Sequence, residues 1–225
     1  EFMEKNAIDL VTKHFPERVP HFIKQDTDYV VCIVEFPATY QKEDYKINSL
    51  SEVFANKRIC SYQKKCSEKE GKEVWCLRES ITFASAKDGP QVKNDISLPI
   101  SKIPDFVKHI TRKFNQLYPD GSFINFGHIG DGNLHFNFAP FFNKVSSKGK
   151  AAEIADFLQN KEETIRGLIN DAVVLYDGSI TAEHGIGRLR KSENVRLKSD
   201  VELEMMRKIK HSLDPKNILN PEVLF

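Results

Sequence analysis

Apolar residues recur at helical spacing along much of the chain. Ala7, Ile8, Leu10, Val11 and Phe15 predict a helix over residues 4–15, ended by Pro16. A second helical pattern runs from Val74 to Ala84. Ser101 stands where it caps a third helix reaching Leu117, with Ile103, Phe106, Val107, Ile110 and Phe114 as its apolar face. Residues 151–176 predict a long helix stopped by Asp177-Gly178, and residues 200–213 predict a last one. Ser199 caps the last helix, with Glu202 three positions on as its capping-box partner. Between the helices, Tyr29 to Phe36 is β-branched and apolar, which predicts a buried strand with Cys32 as a small buried hydrophobe. Gln91 to Leu98 is extended and ends at Pro99. Asp120-Gly121 is a turn signal ahead of two short strands, Phe123 to Phe126 and Leu134 to Phe138. Residues 62–72 read as a solvated loop or helix end, 141–150 as a loop, and 214–225 as an extended tail. Short strand pairs alternating irregularly with helices favour an α+β fold, an antiparallel sheet covered by helices on one face, over a doubly wound parallel sheet.

Composition narrows the function classes. Hydrophobic content of 40%, charged content of 29% and a net charge of +1 over 225 residues describe an ordinary globular chain. They give no footing for nucleic acid or a membrane surface. No apolar run approaches the ~20 residues of a membrane span. The four cysteines form no Cys-x-x-Cys pair, which points to a reducing, intracellular compartment. The spacings of Cys60, Cys66 and Cys76 fit no usual zinc pattern. Glu1-Phe2 ahead of Met3 reads as a cloning scar, so the natural segment is expected to start near Met3 or to come from a longer chain.

The residues richest in chemistry are Gly127-His128-Ile129-Gly130-Asp131-Gly132-Asn133-Leu134-His135-Phe136-Asn137. A turn between two strands can set the imidazoles of His128 and His135 side by side. Strand alternation aims His135 and Asn137 the same way. Far downstream, Ala182-Glu183-His184-Gly185 adds a carboxylate and a third imidazole. Two His and a Glu form a known divalent-metal ligand set with an open position. Asp131 is a further candidate ligand, a turn cap, or an acceptor behind a ligating imidazole. The bland reading is a set of structural or solvated histidines around a tight turn. The glycines at 127, 130 and 132 do not match the dinucleotide fingerprint. On the residues alone both readings stay open.

Five blocks add a resemblance: WCLRESIT (75–82), KNDISLP (93–99), GHIGDGNLHFN (127–137), SITAEHGIG (179–187) and DPKNILNP (214–221). In this order, and spanning most of the chain, they resemble the C-terminal substrate-binding (cap) domain of the FAD-linked D-2-hydroxyacid dehydrogenases. That family includes D-2-hydroxyglutarate dehydrogenase, D-lactate dehydrogenase and the glycolate oxidase D-subunit. The resemblance implies a single ferredoxin-like domain over residues 1–225, with the FAD-binding domain outside this chain. It implies a divalent metal, zinc or manganese, on His128, His135 and Glu183. It makes Asn137 a substrate contact and His184 the general base. Arg78, Thr82 and Lys93 match the cluster that holds a distal carboxylate. Two cations there favour a dicarboxylate such as D-2-hydroxyglutarate over D-lactate.

The implied chemistry is oxidation of a D-2-hydroxyacid to the 2-oxoacid. The metal polarises the hydroxyl, His184 takes its proton, and FAD takes the hydride. The implied partners are the small substrate, the N-terminal FAD domain, and an electron acceptor such as an electron-transfer flavoprotein or quinone. The implied compartment is mitochondrial in a eukaryote and cytoplasmic in a bacterium. This chain alone is expected to be inactive. It departs from the family pattern at residues 53–73 and 143–163, which are longer and more charged. It also departs at Asn220-Pro221-Glu222-Val223, where Gly-Lys usually follows Asn-Pro. Two other functions fit the same residues: a non-catalytic interaction module that kept the fold, and a zinc hydrolase.

Overall fold

A computed structural model of the chain describes residues 1–23, 29–35, 52–54, 64–142 and 150–224. These form two compact units, residues 1–88 and 89–225.

In the first unit, strand β1 (Phe2–Glu4) pairs antiparallel with β2 (Val30–Cys32). Helix α1 (Lys5–His14) follows β1 directly and stops at Phe15, as Pro16 requires. Its buried face, Ala7, Ile8, Leu10 and Val11, packs on helix α2 (Glu68–Asp88), which buries Val74, Leu77, Ile81 and Ala84. Helix α2 begins two turns before the apolar pattern from Val74 does. Ser67 and Glu70 form a reciprocal cap there, so capping chemistry rather than burial sets the start. The strand expected over residues 29–36 corrects to the three residues of β2. Val30 is 56% exposed and Cys32 is exposed, so neither is buried as its apolar surroundings suggested. Apolar sequence without alternation reports β-propensity, not depth. Phe36 and Cys60 lie outside the described residues.

The second unit carries three antiparallel strands in the order β4 (Ser122–Gly127), β5 (Asn133–Ala139), β3 (Asp95–Ser97). Helix α3 (Ile103–Leu117) covers one face. It opens on a 3₁₀ turn at Ile100–Lys102 with Pro104 in its first turn, and Ser101 makes no cap, a correction to the expected start. Its buried residues Ile103, Phe106, Ile110 and Phe114 share one stripe. That stripe meets the alternate residues of the hairpin. Phe106 sits edge-on to Phe136 at 5.3 Å, Phe114 to Phe138 at 4.9 Å, and Phe123 stacks on Phe136 at 4.2 Å. Each pair adds about 0.5–1.5 kcal/mol beyond the apolar area it buries. Helix α4 (Lys150–Leu175) contributes Ile165, Ile169 and Val173 to the core and ends as Asp177 turns left-handed at φ 59°.

A short helix absent from the sequence expectation, α5 (Lys191–Leu197), precedes α6 (Asp200–Leu213). Only Asn194 of α5 is buried, so no apolar period announced it. Helix α6 starts at the expected capping box. The Ser199 hydroxyl accepts from the Glu202 N–H, and the Glu202 carboxylate accepts from the Ser199 N–H.

Candidate functional site

Strand alternation divides the hairpin of the second unit into two faces. Leu134, Phe136 and Phe138 go to the helical core, and Asn133, His135 and Asn137 go to the opposite face. His128 follows β4. The 3₁₀ turn Ile129–Asp131 and a left-handed Gly132 at φ 73° return the chain to β5. The turn brings the rings of His128 and His135 to 6.4 Å between centroids. His135 also lies against Phe126 of β4 at 4.9 Å. Asp131 is exposed on the turn.

Strand β3 runs along the other edge of β5 with Asp95 directly opposite His135. The two side chains meet on the polar face, with His135 Nδ1 3.2 Å from Asp95 Oδ1. Ser179 exchanges two backbone hydrogen bonds with Ser97, 2.9 and 2.8 Å, and so anchors the downstream turn beside β3. From there His184 reaches back and sets Nε2 against Asp95 Oδ2. Asp95 carries no signal of its own in the sequence beyond standing two residues past the candidate Lys93, at the start of β3.

The remaining site residues divide. Asn137 is 8% exposed, and its carboxamide oxygen accepts from the Asn94 N–H at 3.2 Å, which leaves the NH₂ group as the donor. The Lys93 side chain is exposed, and its carbonyl accepts from Arg166 at 2.8 Å. Glu183 is exposed on the turn beside His184. Arg78 and Thr82 lie on α2 in the first unit, Arg78 buried and Thr82 exposed. Arg78 Nε donates to the Glu1 carboxylate at 2.7 Å, a pair with side chains 11% and 3% exposed.

The donor types at His128 and His135 fit a divalent cation, and two buried Asp95 oxygens beside His135 mark a place where positive charge is favourable. The two imidazoles must close by roughly 1 Å to share one tetrahedral ion. Among the described residues no three His, Cys, Asp or Glu side chains are grouped closely enough to hold a metal, so Glu183 is not assembled with the pair. The site glycines do not fit a flavin: Gly132 leads into a strand, not into a phosphate-binding helix N-terminus.

A family model described as FAD linked oxidases, C-terminal domain, matches residues 1–224. The chain belongs to that family. Its α+β architecture and antiparallel strand pairing agree with the membership. The chain is 42% identical over 159 residues to a D-2-hydroxyglutarate dehydrogenase of Xanthomonas citri pv. viticola, covering 71% of this chain and 32% of that protein. It is 36% identical over 159 residues to a D-2-hydroxyglutarate dehydrogenase of Stutzerimonas stutzeri, covering 71% and 32%. To a mitochondrial D-2-hydroxyglutarate dehydrogenase of Danio rerio it is 29% identical over 221 residues, covering 98% and 38%. The chain thus spans about a third of the length of these family members. Among the described residues no helix is long and apolar enough to cross a membrane.

Proposed function

We propose that this chain is the substrate- and metal-binding part of an FAD-dependent dehydrogenase that oxidises a D-2-hydroxyacid, with D-2-hydroxyglutarate preferred over D-lactate. The observation that carries the reading is the run of contacts from His128 to His135, from His135 to Asp95 and from Asp95 to His184, in a chain related to proteins named for this activity. His128 and His135 would hold the cation, with Glu183 as the third donor from the neighbouring turn. A divalent cation held there supplies Lewis acidity toward the substrate's hydroxyl and carboxylate oxygens. His184, with one ring nitrogen turned to Asp95, keeps the other as the base for the hydroxyl proton. Asn137 offers its carboxamide N–H to a substrate oxygen. FAD, held by residues outside this chain, would supply the hydride-accepting chemistry.

Support for the dicarboxylate preference comes from two cations, each within its own unit: Arg78, buried on α2, whose Nε makes one hydrogen bond to Glu1 Oε2 at 2.7 Å, and the exposed Lys93.

The test is anaerobic mixing of the full-length protein, chain plus FAD-binding portion, with each hydroxyacid while flavin absorbance is followed. D-2-Hydroxyglutarate bleaches the flavin at lower concentration than D-lactate. Lys93→Ala and Arg78→Lys raise the concentration needed for D-2-hydroxyglutarate and leave D-lactate unchanged. Equal effects on both substrates contradict the dicarboxylate preference. A flavin that no D-2-hydroxyacid bleaches contradicts the dehydrogenase reading and favours a non-catalytic module.

A further inference from the structure

Helix α6 has the sequence pattern of a packed helix and the surroundings of an unpacked one. Helix α3 buries its stripe of Ile103, Phe106, Ile110 and Phe114, whereas α6 buries only Leu203. Val201, Met205, Ile209 and Leu213 of α6 stand between 60% and 77% exposed. Four positions apart, they advance about 40° around the axis at each step and make one apolar ridge roughly 18 Å long. A lone helix of this length, 14 residues, is marginal in water, because helices draw most of their stability from packing an apolar face. The preceding helix α5 buries only Asn194 and adds no apolar support of its own.

The ridge does not end in a frayed tail. The Asp214 carboxylate is buried, accepts from the Ile218 and Leu219 N–H groups at 3.0 Å each, and pairs with Lys210. Lys210 also donates to the Leu219 carbonyl at 2.5 Å. These bonds fold the tail against the last turn of α6. They hold Ile218 and Leu219, both more than half exposed, at the same end of the helix as Leu213. Along the helix Glu204 pairs with Lys208 and Glu202 with Lys198, so these charges beside the ridge are matched within the chain. Six large apolar residues ordered in this way and left to water mark an interaction surface.

We propose that the outer face of α6, together with Ile218 and Leu219, is the surface on which the FAD-binding portion of the longer protein docks, through an apolar patch of its own. The chain matches a model named for a C-terminal domain, and it spans 32% of its Xanthomonas relative and 38% of its Danio relative. The remainder of such a polypeptide is tethered to the ridge. A tethered surface meets it at an effective concentration of about millimolar for a short connection, which a second copy in dilute solution does not match. The proposal rests on the reading of this chain as part of an FAD-carrying protein. It does not rest on the cation or on the choice of hydroxyacid.

The test is hydrogen–deuterium exchange of this chain and of the full-length, FAD-loaded protein, read on peptides of α6 and, for reference, of α3. Burial of the ridge slows the α6 amides of the full-length protein by about tenfold or more relative to those of α3. Ile209→Glu leaves the thermal midpoint of this chain unchanged, because the side chain is exposed, and returns α6 of the full-length protein to the exchange rate of the chain alone. Should the full-length variant fail to fold, the two wild-type proteins decide alone. An α6 that exchanges as fast in the full-length protein as in the chain overturns the proposal. Protection that fades on dilution of the full-length protein assigns the ridge to a second copy and overturns it as well. A protected α6 in a full-length protein whose flavin no D-2-hydroxyacid bleaches supports the docking surface and contradicts the dehydrogenase reading instead.

Discussion

The turn at residues 127–132, which leads into His135, and the turn at 181–187, which carries His184, reach the same Asp95 carboxylate on unequal foundations. The first is closed on both sides by paired strands. Its Gly132, at φ 73°, has the Leu98 carbonyl where a Cβ would stand, and the Leu98 N–H donates to the Gly132 carbonyl at 3.0 Å. The second is tied at its base by Ser179, by the His184 N–H donating to Thr181 at 2.8 Å, and by Arg190 donating to the Ile180 carbonyl. Beyond that base, Gly185 at φ 79° has nothing within 4 Å of a Cβ, Ala182 is held left-handed at φ 41°, and Glu183 and His184 are exposed. The sheet fixes His128 and His135, whereas contact with Asp95 and the short ties at its base place His184. Ala182, left-handed next to two chemistry-bearing side chains, is strained backbone of the kind that recurs at functional sites.

The sharpest way to break the contrast is to remove the support under the first turn. Phe136→Ala takes away the ring that stacks on Phe123 and meets Phe106, and should destabilise the second unit by about 3–5 kcal/mol, read by thermal unfolding. Next come the two left-handed glycines. Gly132→Ala adds a collision with a strand backbone to the conformational cost and should lose about 2–4 kcal/mol. Gly185→Ala carries only the conformational cost, about 1–2 kcal/mol. Equal losses for the two would mean that the turns are equally supported, contrary to the description above.

The smallest effect lies away from both turns. Glu202 is pulled down to about 2, first by the Ser199 backbone N–H and then by the Ser199 hydroxyl and Lys198. A carboxylate with a lowered pKa stabilises the fold above its unfolded value of 4.5 and loses that contribution as pH falls toward 2. Amide exchange at Ser199 and Glu202 should therefore accelerate across that window while the amides of β5 do not. Uniform acceleration would instead report global acid unfolding.

These elements also show what the sequence alone makes legible. The faces of α1 and α3, the β4–β5 hairpin and the capping box of α6 are all local patterns, with period and cap in one stretch of sequence. The β2 strand and Cys32 were misjudged because depth depends on what covers a strand, and no local pattern records that. Helix α5 escaped because it buries only Asn194. His128, His135, Asn137 and His184 were legible as chemistry. Asp95 was not, because its place beside His135 and His184 comes from a strand register and from a bridge between Ser97 and Ser179, with 81 positions between them. Arg78 was legible as a cation, but its pairing with Glu1 of this chain was not.

The measurement closest to the central claim is the metal content of the purified chain after exposure to zinc or manganese and exhaustive dialysis. About one equivalent retained by the wild type and lost in His135→Ala, with both proteins folded, is the predicted result. A folded wild type that retains no metal, or a His135→Ala variant that retains as much as the wild type, would contradict it.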